Sequence, residues 1–241
     1  MAVGVTGALG RASLLAVLAG TCGAAETAAP QAVSASYQVF RNGMRVGVAN
    51  ETFEVKDGQY RIVSESHAVG LLALFAPQPL RVTSSGRLTG AGLMPEYFES
   101  RRGEDDPRQI HAEFDWQGAQ LKVARSGHNE ILPLAPGTQD PLSIMYQFMF
   151  LAPDGQQVID LTRTNGRRME QHHYTVKTGV EIETPIGRMA TVHLVKQHKS
   201  DEGGVELWLA PQHRYLPMKL LILQEDGVRY EQVITKIDIK P

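Results

Sequence analysis

From Tyr37 onward, apolar and polar residues alternate with a period of two, the pattern of strands that bury one face. In Gln109-Ile110-His111-Ala112-Glu113-Phe114-Asp115-Trp116, the side chains of Ile110, Ala112, Phe114 and Trp116 share one face. Gln109, His111, Glu113 and Asp115 share the other. Thr52-Phe53-Glu54-Val55-Lys56 and Val205-Glu206-Leu207-Trp208-Leu209 repeat the pattern. Turn dipeptides separate such runs at the spacing of an antiparallel meander. Asn42-Gly43 and Asp57-Gly58 are hairpin signals, because both residue types accept positive φ. Gln117-Gly118, Asn165-Gly166, Gly203-Gly204 and Asp226-Gly227 continue the series.

Two segments depart from this alternation. Residues 140–151, Asp-Pro-Leu-Ser-Ile-Met-Tyr-Gln-Phe-Met-Phe-Leu, predict a helix. Asp140 suits the N-cap, Pro141 suits the first position, where a missing N–H costs nothing, and Pro153-Asp154-Gly155 stops it. Leu142, Met145, Phe148 and Met149 form one face, and Ile144 and Leu151 another. A helix that is apolar on several sides is buried on several sides. The second segment, residues 69–77, is too apolar for an ordinary loop and predicts a short helix or hydrophobic crossing near the mouth of a sheet. The expected fold is therefore mainly β: a strongly curved antiparallel sheet, a half-open β-barrel, with one helix against its concave face. Leu71, Leu72, Phe75, Met145, Phe148 and Met149 are the candidate apolar lining of a ligand cavity between helix and sheet.

The first 25 residues predict a cleavable signal peptide: Arg11, then the apolar run from Ala12 to Gly20, then small residues up to Ala25. The run is shorter than the roughly 20 residues a bilayer span needs, so no membrane span is expected in the mature chain. Cys22 stands where a lipoprotein cysteine could stand, but Thr21 before it is large for a lipobox, and simple cleavage is the favoured reading. Residues 26–36 read as a flexible leader and residues 37–241 as a single β-rich domain. Cys22 is the only cysteine, so the mature chain has no disulfide and relies on its core. A net charge of −2 without a polybasic block argues against nucleic acid as partner.

Candidate chemistry is sparse. His172 and His173 are adjacent on an expected strand, point to opposite faces and cannot chelate one ion. They read as polar outward positions, and neither a metal nor another cofactor is expected. Ser84-Ser85-Gly86 lacks the glycine-flanked elbow that presents a catalytic serine. Asp105-Asp106, set among Arg101, Arg102 and Arg108, reads as a solvated turn, not as the paired acids of a glycosidase.

An ordered set of short stretches resembles a bacterial exported family, domain of unknown function 3108. The set runs from Tyr37-Gln38-Val39-Phe40-Arg41-Asn42-Gly43 through Ser84-Ser85-Gly86-Arg87-Leu88 and Gly92-Leu93-Met94-Pro95-Glu96-Tyr97-Phe98. It continues with Phe114-Asp115-Trp116, Asp140-Pro141-Leu142-Ser143, Leu207-Trp208-Leu209-Ala210-Pro211 and Tyr215-Leu216-Pro217-Met218-Lys219. The resemblance implies an envelope location and supplies no activity. A helix held in a curved sheet is, as architecture, similar to the periplasmic carriers of outer-membrane lipoproteins. The expectation is a non-enzymatic periplasmic protein that binds a hydrophobic ligand or lipidated partner. An envelope assembly factor working through protein–protein contacts is the alternative.

Overall fold

The computed structural model describes residues 30–198 and 203–241. The expected signal peptide and Cys22 lie outside the described residues. Among the described residues, fourteen strands form one antiparallel sheet. In chain order they are β1 (Ala32–Arg41), β2 (Met44–Lys56), β3 (Gln59–Ala68), β4 (Leu80–Thr89), β5 (Gly92–Arg102), β6 (Ile110–Asp115) and β7 (Gln120–Arg125). Then follow β8 (His128–Pro133), β9 (Val158–Thr164), β10 (Met169–Thr184), β11 (Gly187–Lys196), β12 (Gly204–Ala210), β13 (Leu216–Leu223) and β14 (Arg229–Lys240). Helix α1 (Leu72–Phe75) lies between β3 and β4, and α2 (Ser143–Leu151) between β8 and β9. The strand order is β8-β7-β6-β5-β4-β3-β2-β1-β14-β13-β12-β11-β10-β9. Every connection except the pairing of β1 with β14 is thus to the next strand in sequence. The sheet does not close on itself.

Curvature follows from a simple length argument. β5 and β13 are six positions apart in the sheet. At about 4.8 Å per strand that is roughly 29 Å in a flat sheet, beyond the 10–12 Å width of one helix. Yet α2 packs against both β5 and β13, so the sheet wraps around it. Bulges supply part of the bend: register shifts occur at Ser36/Tyr37, Val39/Phe40, Ser85/Gly86, Lys177/Val180 and Trp208/Leu209.

The expected helix over 140–151 is present from Ser143, with Asp140 as its cap in chemical terms. Asp140 Oδ1 accepts the N–H groups of Leu142 and Ser143, both at 2.8 Å, and Ser143 Oγ accepts Asp140 N–H at 3.0 Å. Ala152, at φ 38°, ends the helix in the left-handed conformation. Ile144, Tyr146 and Phe148 are buried. Tyr146 stacks on Phe53 at 5.4 Å, and Phe148 meets Tyr174 edge-on at 6.0 Å. The leader expected over residues 26–36 is corrected in its second half, because Ala32–Arg41 is a strand throughout. Val33 and Ala35 there face the core opposite Ile239 and Ile237 of β14. Small residues at those positions hide the strand from a compositional reading.

The two ends of the molecule differ. Residues 57–58, 90–91 and 152–157 gather at one end, with α2. Gln147 fastens α2 there: its Oε1 accepts Leu93 N–H at 2.7 Å and its Nε2 donates to Ala91 O at 2.8 Å. The turns at 42–43, 126–127, 165–168 and 224–228, together with the crossing at 69–79, lie at the opposite end, which we call the mouth. There the β9–β10 turn reaches the far flank of the sheet, with Gly166 against Ile110 of β6. Between the two sheet edges runs the segment before α2, whose Gln139 makes a parallel bridge to Arg163 of β9.

Candidate functional site

On β9 to β13, one concave stripe changes character as it approaches the mouth. Its deep part is apolar: Ile159, Tyr174, Val192, Leu194, Leu207, Leu209 and Leu220 are buried together with Phe148. Two residues further along each strand, on the same face, the stripe turns polar. Leu161 is followed by Arg163, and Tyr174 is preceded by His172 and Glu170. Leu194 is followed by Lys196. Val205 and Ile222 are the apolar members at the same level. Arg163, Glu170, His172, Lys196, Val205 and Ile222 line an open groove of about 1100 Å³.

Glu170 is the hub of the polar wall. Its carboxylate lies 3.7 Å from Arg163 Nη1, 2.8 Å from Arg168 Nε and 3.1 Å from His172 Nε2. These partners outweigh the opposing effect of partial burial and hold its pKa below the ordinary carboxylate range. His172 is buried at 2% exposure. Burial pushes its pKa down to about 4, and the Glu170 hydrogen bond only partly offsets this. The imidazole is therefore neutral at physiological pH, donating from Nε2 to Glu170 and accepting at Nδ1 from the Tyr174 hydroxyl at 3.0 Å. The outward reading of His172 is thus corrected, while His173 does face out, 2.6 Å from Asp160. The adjacent pair sits on opposite faces, as period-two geometry requires.

The apolar residues marked in the sequence fall into two places. Met145, Phe148 and Met149 lie at the helix end, where Phe148 is buried and both methionines pack against the core. Leu72 and Phe75 lie on α1 at the mouth and Leu71 immediately before it, with 47%, 86% and 78% of their surfaces exposed. The structure does not bring the two sets together. Of the polar wall, the sequence singles out His172 alone, as an outward position, and leaves Arg163, Glu170 and Lys196 unremarked. Their signal is the period-two stripe Ile159-Leu161-Arg163 and its counterparts, visible once the strands are placed.

Two further polar clusters have structural roles. Ser84 Oγ donates to Asp140 Oδ2 at 2.5 Å and, with its only proton so used, accepts from Tyr60 OH at 3.0 Å. Ser84 and Asp140 are both fully buried, so this serine–carboxylate pair braces the start of α2 out of reach of any substrate. Glu51, on the concave face of β2, accepts from Ser64 at 3.1 Å and from Tyr146 at 3.0 Å. Burial raises its pKa, the two hydrogen bonds opposing. Asp106 caps its own loop through the N–H groups of Arg102 and Arg108, which lower its pKa. No group of three or more metal-ligating side chains occurs among the described residues.

A family model described as "Protein of unknown function (DUF3108)" matches residues 36–233. The chain belongs to this family. The crystal structure of a β-barrel-like protein of domain of unknown function DUF1849 from Brucella abortus resembles the DUF3108 chain with a TM-score of 0.55 at 12% identity. That match covers 86% of this chain and 97% of the other, and it supports the fold. A candidate lipoprotein from Parabacteroides distasonis aligns at a TM-score of 0.36 and 10% identity, over 87% and 97% of the two chains. No curated protein matches the DUF3108 chain.

Proposed function

We propose that the protein is a non-enzymatic envelope protein that binds an apolar, chain-like ligand in the concave groove at its mouth. The observation that carries this reading is the graded stripe on β9 to β13, where buried apolar core gives way to a charged collar lining about 1100 Å³ of open space, with Val205, Ile222 and Leu223 as the apolar members of that lining. Ligand sites combine such an apolar lining with a few fixed polar groups. The exposed side chains of α1 stand at the same end and offer an apolar approach to it. The signal peptide expected over residues 1–25 is the support for an envelope location. The burial of the Ser84–Asp140 pair supports a non-enzymatic role.

Native mass spectrometry tests the reading on protein purified without detergent, before and after incubation with a bacterial lipid extract. A bound mass that leaves on organic extraction and returns with lipid is expected. A chain that stays unliganded in every condition overturns the proposal.

A second reading, an assembly factor that docks a protein partner, draws on one observation. β8 is an edge strand whose outer residues are exposed, Ile131 at 63%. Site-specific photocrosslinking from Ile131 in cells that traps a discrete partner would favour it.

A further inference from the structure

We propose that α1 and the neighbouring β1–β2 hairpin form a ridge that docks on an anionic lipid bilayer. This inference is independent of the groove on β9 to β13. Among the described residues eight large apolar side chains are exposed, and five of them belong to two adjoining segments of the mouth: Met44, Leu71, Leu72, Leu74 and Phe75. Leu74 and Phe75 have 76% and 86% of their surfaces exposed. Val69 N–H donates to Val46 O at 3.0 Å, which ties the crossing at 69–79 to the start of β2 and sets α1 beside the hairpin of Met44 and Arg45.

α1 is turned the opposite way from an ordinary surface helix, which points its apolar stripe at the core. At about 100° per residue, Leu71, Leu72, Leu74 and Phe75 span an outward arc of about 160°, and the small, half-buried Ala73 takes the other side. An apolar ridge left in water marks a protein or a membrane contact. The charge around it selects the membrane. Residues 38–50 and 66–80 contain no acid, and Arg41, Arg45 and His67 are their only ionisable side chains. Arg41 and Arg45 are exposed, and neither guanidinium has an ion pair among the described residues. Leucine and phenylalanine at acyl depth with arginines at head-group level is the layout of an interfacial anchor, whose binding sums buried apolar area and attraction to anionic lipid. A protruding ridge also needs no matching pocket where its partner is fluid. The acids at this end stand on other turns, Glu104 and Asp105 before β6 and Glu225 and Asp226 before β14. They bound the footprint and stay in water on either side of it.

The test uses the full chain and two kinds of vesicle, phosphatidylglycerol with phosphatidylethanolamine in equal parts, and phosphatidylcholine alone. Co-sedimentation is measured for wild type, Leu74→Ser/Phe75→Ser and Arg41→Gln/Arg45→Gln, each first shown by circular dichroism to be folded. Residues 1–29 are common to all three, so differences among them belong to the mouth. Wild type is expected to bind the anionic vesicles. The serine pair should bind them about tenfold or more weakly. The glutamine pair should lose about tenfold on anionic vesicles and nothing on phosphatidylcholine. Depth is read separately with Phe75→Trp and lipids brominated on their acyl chains, which should quench the fluorescence added to that of Trp116 and Trp208. The proposal is overturned if wild type stays off the anionic vesicles, if either pair binds them as wild type does, or if the added indole escapes quenching. Photocrosslinking from Leu74 in cells that traps a discrete protein would assign the ridge to a protein partner instead. Self-association without lipid that the serine pair abolishes would assign it to a second copy of the chain, and either result also overturns the proposal.

Discussion

Gln147 shows how one side chain can hold two elements in register. Its amide spans Ala91 and Leu93 across the β4–β5 turn, and Gly92 between them sits at φ +96°. A methyl group placed there would lie 2.6 Å from Gln147 Oε1. Gly92→Ala is therefore expected to destabilise by about 2 kcal/mol or more, combining backbone strain with overpacking. In Gly92→Ala/Gln147→Ala the clash is absent, so the two losses should not add, and urea unfolding of the double-mutant cycle checks this. Glu51 provides a pH test. Burial raises its folded pKa above the ordinary value of 4.5. The associated stability is full below that value and is lost as pH rises through the folded pKa. Glu51→Gln should match wild type near pH 4 and be the more stable of the two at pH 8, seen as a higher Tm. Equal melting temperatures at pH 8 would refute it.

The two helices are apolar to a similar eye and opposite in role. Phe148 of α2 is fully buried between the helix and β10, while Phe75 of α1 is 86% exposed. Phe148→Ala should cost about 3–5 kcal/mol by leaving a cavity, whereas Phe75→Ser should change stability by less than about 0.5 kcal/mol. Denaturant midpoints decide both. On the proposed function, Phe75→Ser should also weaken capture of apolar probes, a loss visible without any change in Tm. The contrast explains what was legible in the sequence. Asp140, Pro141 and the all-round apolar run identify α2 and its burial, because helix caps and periodicity are local signals. Asn42-Gly43 and Asp57-Gly58 mark hairpins that exist, with both residues of each pair at positive φ. The crossing at residues 69–77 was placed near the mouth, but that α2 sits at the opposite end was not legible, because that depends on counting strand directions along the chain. The inward placement of Arg163 and Lys196 was hidden for a similar reason: a charged residue at the end of an apolar stripe reads as solvent-facing until the sheet curls over it.

At the scale of the molecule, β14 is the keystone. It lies between β1 and β13, joining two runs of strands that each pair in sequence order. Without it the sheet separates into a β8-to-β1 half and a β13-to-β9 half, and α2 packs against strands from both. Ending the chain after Gly227 should therefore abolish cooperative unfolding altogether, leaving no calorimetric transition. A fold held by pairings this distant in sequence should also refold slowly, in the millisecond-to-second range or beyond. The placement of α2 at only one end has a further meaning for traffic. On the proposed function, a ligand would enter and leave past the same lip, because α2 packs at the opposite end. A carrier of that kind could not relay its load from front to back, so a recipient would have to meet it face to face, covering α1 and the charged collar at the moment of exchange.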